Sequence, residues 1–106
     1  MIAVIFEVTP HEGRADRYFD LAAALRPELE QIEGFLSVER FQSLTTEGKY
    51  VSLSFWRDQE AVEAWYRNAR HHAAQEEGRS RVFRDYRIRV AEVIRDYDMA
   101  AGRPEV

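Results

Sequence analysis

The chain has 106 residues, of which 45% are hydrophobic and 32% charged, with a formal net charge of −4 and no cysteine. That length makes one domain of ordinary globular composition. The acidic balance argues against nucleic acid or an anionic membrane as partner, and the missing thiols exclude disulfides, thiolate nucleophiles and thiolate metal ligands.

The N-terminal run MIAVIFEV carries no basic leader and is too short for a membrane span, so a cytoplasmic protein is expected. Residues 2–8 are β-branched and aromatic up to Thr9–Pro10, which predicts a strand, apolar on both faces apart from Glu7 and therefore central. A helix is expected from about Arg14 to Gln31, because Tyr18, Leu21, Ala22, Leu25, Leu29 and Ile32 recur at three- and four-residue steps. Pro27 lies inside that pattern and predicts a kink or a detached last turn, and Gly34 a stop.

Phe35 to Ser43 reads as a second strand, with Leu36 and Val38 on one face and Phe35 and Phe41 on the other. Thr45–Thr46–Glu47–Gly48 has turn chemistry, and Lys49 to Trp56 alternates well, so the two strands form a hairpin. The face bearing Ser52 and Ser54 is small and polar between aromatics, fit for solvent or for the floor of a cavity. A second helix is expected from an N-cap at Asp58 to about Gly78. Its spacing puts Ala61, Ala64, Trp65, Asn68 and His72 on one face. A last strand runs from Phe83 to about Ile94, and its arginines fit a solvated edge balanced by Asp85, Glu92 and Asp96 better than the alternative of an anion site. Residues 1–99 make the domain, and 100–106 (AAGRPEV) read as a flexible tail.

The order strand, helix, strand, strand, helix, strand is the α+β, ferredoxin-like split βαβ arrangement: an antiparallel sheet with two helices on one face. The other face is expected to carry Phe6, Phe35 or Phe41, Tyr50, Trp56 and Tyr86. So large an apolar patch predicts a homodimer through the sheet faces.

Strand two (IEGFLSVERF), the hairpin strand YVSLSFW and the helix AWYRNARHHAAQEEGR resemble the antibiotic biosynthesis monooxygenase family, over roughly residues 2–94. The most specific likeness is Trp65, His71, Ala74–Gln75 and Gly78–Arg79. The resemblance implies a dimeric α+β barrel with a cavity between sheet and helices in each protomer. It also implies oxidation of a small aromatic phenol, anthrone or quinol by dioxygen, with no metal or flavin. On that reading Trp65 and Tyr66 stack on or edge the ring, Asn68 donates to a phenolate, and His71 or His72 handles the proton. Spacing favours His72 and the resemblance favours His71. Phe6, Tyr66, Ser52 and Ser54 are the expected substrate pocket. Two alternatives are a non-catalytic barrel binding a small apolar ligand and a haem-binding relative. The haem-degrading branch uses a first-strand Asn, whose place here falls at or near Glu7.

Overall fold

A computed structural model describes residues 1–100, except the side chains at 69, 70, 78 and 80; the expected tail therefore lies largely outside the described residues. Strand β1 (Ile2–Pro10) leads to helix α1 (Ala15–Glu30), then to the hairpin of β2 (Phe35–Gln42) and β3 (Tyr50–Trp56). Two helices follow where one was expected, α2 (Gln59–Tyr66) and α3 (Ala69–Glu77). A π-helical turn (Gly78–Val82) then delivers β4 (Phe83–Glu92). The strands form one antiparallel sheet in the order β2-β3-β1-β4, with the doubly apolar β1 inside it.

Register fixes which side chains share a face, because directly opposed residues point the same way. Val4, Ser54, Val90 and Val38 are opposed across the sheet, as are Phe6, Ser52, Ile88 and Arg40. This is the helix-facing side, and it also holds Ile2, Val8, Tyr50 and Trp56. Of the aromatics expected on the uncovered face Phe41 lies there, but the others lie under the helices: Trp56 is 1% exposed against Leu29, Ala61 and Trp65, and Tyr50 meets Tyr18 and Phe19 of α1. Phe35 packs edge-on to Trp56, and Phe6 meets Tyr18, Phe83 and Tyr86. Ile5, Val51, Leu53, Phe55 and Phe41 line the uncovered side instead, where Glu7 pairs with Arg89 at 3.2 Å and Lys49 at 3.5 Å. The physical reason is space: bulky rings fill the gap between a sheet and the helices above it, while aliphatic side chains leave a flatter surface.

Pro27 does not split α1, which continues through it as one element. Leu29, 6% exposed in the core, holds that last turn down. Gly34, at φ +92°, turns the chain and offers its carbonyl to the Arg57 N–H at 2.7 Å. At the start of α2, Asp58 Oδ1 accepts from the Ala61 N–H at 2.9 Å, and that hydrogen bond, helped by Arg57, holds its carboxyl below the usual range.

Candidate functional site

The buried residues fall into two clusters. One is built on Ile2, Leu29, Trp56, Ala61, Val62 and Trp65, the other on Val8, Tyr18 and Val82. A cavity of about 170 Å³ lies against both, between the helix-facing side of the sheet and the helices. Ser52 and Ser54 form part of its floor, and their small side chains leave room where Tyr50 and Trp56 would fill it. Ser54 is committed locally, since its Oγ accepts from the Trp56 indole N–H at 2.9 Å.

The break between α2 and α3 determines what reaches the cavity. The Asn68 N–H bonds back to the Trp65 carbonyl at 3.0 Å, and Asn68 Oδ1 accepts from the His71 N–H at 3.0 Å, so Asn68 caps the new helix. Restarting the helix folds His71 back over its predecessors. Its ring stacks on Trp65 at 4.5 Å and 20°, and lies nearly parallel to Tyr66 at 5.9 Å. Trp56 continues the aromatic row, 6.5 Å from Trp65.

His71 Nδ1 is 3.2 Å from the Trp65 carbonyl oxygen. A carbonyl only accepts, so Nδ1 carries the hydrogen and Nε2 keeps the free lone pair in the neutral ring. Burial pushes the His71 pKa down, the carbonyl bond opposes this, and His72 adds a small push in the same direction as burial. His71 is therefore a neutral base at neutral pH, with its tautomer fixed by the backbone of α2. Beside it, burial raises the Tyr66 phenol above its ordinary value.

The opposite character appears at Arg40 and Tyr18, which also line the cavity. Tyr18 is 4% exposed beside the Arg40 guanidinium, and Arg40 Nε has no hydrogen-bond partner among the described residues. Gln75 and Arg79 border the cavity too, but Arg79 is held by Glu76. No acidic side chain lines the cavity among the described residues.

Of the expected site residues, Phe6, Ser52, Ser54, Trp65, Tyr66 and His71 border the one cavity. Asn68 does not; its carboxamide oxygen caps the helix that carries His71. His72 is exposed on α3 and outside the lining, because the break resets the helical phase that had aligned it with Trp65. Glu7 points to the other face of the sheet, where the Arg89 hydrogen bond, with Lys49, holds its carboxyl below the usual range. The sequence reading passed over Arg40 and Tyr18 as site residues. A signal was there for Arg40: strict alternation puts it on the same face as Val38.

The antibiotic biosynthesis monooxygenase family profile matches residues 1–77. The chain belongs to that family. A relative named jasmonate monooxygenase, from Pyricularia oryzae, is 47% identical over 93 residues, which cover 88% of this chain and 43% of the relative. This chain thus spans less than half the length of that protein. YqjZ of Bacillus subtilis, an uncharacterized protein, is 37% identical over 99 residues, covering 88% of this chain and 79% of that one. The solved structure of Rv0793 from Mycobacterium tuberculosis superposes with a TM-score of 0.80 at 15% identity, over 92% of this chain and 98% of that one, a likeness of fold. No helix among the described residues is long and apolar enough to cross a membrane.

Proposed function

We propose that this protein is a cofactor-independent monooxygenase that oxidises a small electron-rich phenol with dioxygen in the cavity between sheet and helices. The observation that carries this reading is His71: a half-buried, neutral imidazole with Nδ1 tied to the Trp65 carbonyl, bordering a cavity beside Trp65 and Tyr66. His71 Nε2 accepts the phenolic proton. The phenolate passes one electron to dioxygen, and the resulting radical pair joins at a ring C–H carbon to form a C–O bond. Cleavage of the O–O bond with loss of that hydrogen leaves a quinone and releases water. One phenol and one dioxygen thus give one quinone and one water, and the base returns its proton. Trp65 and Tyr66 offer flat surfaces to the ring, and the apolar lining excludes bulk water.

The volume sets the scale of the substrate. About 170 Å³ is close to cavities of roughly 150 Å³ that take up a single benzene ring, so a one-ring phenol or quinol is favoured over a tricyclic anthrone. The same volume gives little support to a haem, whose macrocycle needs far more room; Glu7 on the opposite sheet face adds none. Two copies pair through the uncovered sheet face, where Ile5, Val51, Leu53, Phe55 and Phe41 stand together with Glu7, Glu39 and Arg89 at their edges.

The test is oxygen uptake with one-ring phenols and hydroquinones, an anthrone, and jasmonate, the compound for which the relative from Pyricularia oryzae is named. Wild type should consume oxygen, and Trp65→Phe and His71→Ala should both be slower. Equal rates in all three remove the site assignment, and binding without uptake points to the non-catalytic barrel.

A further inference from the structure

We infer that the substrate carries a carboxylate, and that Arg40 and Tyr18 form the subsite that receives it. The inference rests on the cavity being the substrate site, as proposed above, and it concerns which molecule the cavity accepts. Arg40 stands on β2 opposite Ser52 of β3, on the helix-facing side of the sheet, with Tyr18 reaching the same cavity from α1. Arg40 Nε and Tyr18 Oη are both buried; Nε lacks a hydrogen-bond partner among the described residues, and the Tyr18 hydroxyl has beside it the Arg40 guanidinium, itself only a donor.

Two buried donors facing one cavity with no acceptor between them are unusual, since buried polar atoms in folded proteins are nearly always paired; Arg40 is half-buried, and its buried Nε calls for an acceptor. No acidic side chain lines the cavity, and no salt bridge joins Arg40 to an acidic side chain among the described residues. The other lining arginine, Arg79, differs in having Glu76 as its partner. Burial raises the Tyr18 pKa, with the charge of Arg40 and a hydrogen bond from its guanidinium opposing it, so Tyr18 stays a neutral hydroxyl at neutral pH with its own hydrogen left to donate. A planar guanidinium fork with a phenolic O–H beside it suits a carboxylate, which accepts two or more such bonds in its plane. The substrate then lies with its carboxylate at Arg40 and Tyr18 and its apolar ring among the aromatic side chains. The uncharged lining between leaves the anion no competing cation except one already paired.

The experiment is equilibrium binding followed by tryptophan fluorescence, with 4-hydroxyphenylacetate and its methyl ester as probes. They share the phenol and differ in the charge. The carboxylate should bind at least tenfold more tightly than the ester to wild type. Arg40→Gln and Tyr18→Phe should each erase most of that preference while leaving ester binding within about twofold, and Arg40→Lys should restore part of it. Circular dichroism melting identifies a variant that fails to fold, and Tyr18→Phe, which removes only the hydroxyl, then carries the test. Equal affinity for the two probes, no binding of either, or a preference that survives both variants overturns the inference. The two readings fail separately. Oxygen uptake from uncharged phenols without a carboxylate preference sinks only the subsite, whereas a carboxylate preference without uptake from any phenol sinks only the oxidation.

Discussion

At the scale of single residues, the ring of His71 is set by one backbone atom. The Trp65 carbonyl takes the Nδ1 hydrogen, burial disfavours the cation, and Nε2 is left as the base. Because the folded pKa is lowered, the neutral form survives below the ordinary histidine value of about 6.5. The acid limb of kcat/KM should therefore fall at a pH below that value, and His71→Ala should abolish the limb and slow oxidation by about 10²–10⁴-fold. A limb at or above the ordinary value would contradict the assignment. The linked stability has the same sign: a depressed histidine pKa costs nothing above the unfolded value, and stability is lost as pH falls from there towards the folded one. Trp65 and the two histidines were legible as a cluster in the sequence, but not which histidine belongs to it. On an unbroken helix, seven residues return to within about 20° of the starting direction, which favours His72 over His71. The break at Asn68 cancels that arithmetic. Arg40 was legible from its alternation with Val38, but with apolar residues on both faces of that strand nothing in the sequence marks which face meets the helices.

At the scale of elements, the α2–α3 break and the Gly34 corner hold the site in place. Asn68 touches none of the cavity, yet its side chain caps the helix that carries His71. Asn68→Ala should cost about 1 kcal/mol of stability and slow oxidation as His71 loosens, while Asn68→Asp, which keeps the acceptor, should recover most of both. Thermal melts and oxygen uptake on the same samples check this. Gly34 is a sharper case. A Cβ there would sit 2.8 Å from the Ala61 side chain, on a backbone at φ +92°. Gly34→Ala should lose roughly 2 kcal/mol or more, a fall in Tm of about 10 °C. The order of strands and helices was readable from periodicity. Which face of the sheet meets the helices was not, because β1 is apolar on both faces apart from Glu7, and the β3 face bearing Ser52 and Ser54 fits solvent as well as a cavity floor.

At the scale of the whole molecule, one sheet has two apolar faces and helices on only one. The covered face encloses the cavity, and the uncovered face exposes Phe41 at 46% beside Val51 and Leu53. Light scattering should give twice the chain mass for the wild type. A charge in the middle of that face, Leu53→Glu, should return the single-chain mass without unfolding the protein, and a wild-type monomer would remove the pairing. The central claim is that dioxygen is activated by the bound phenolate and leaves one atom in the product. Mass spectrometry of the quinone formed under ¹⁸O₂ in ordinary water tests it most directly, with the product trapped before carbonyl exchange. One labelled oxygen per quinone, with the yield of labelled quinone from His71→Ala at equal time reduced by about 10²–10⁴-fold, is the predicted result. A quinone whose new oxygen comes from water, or the same labelled yield from His71→Ala, would contradict it.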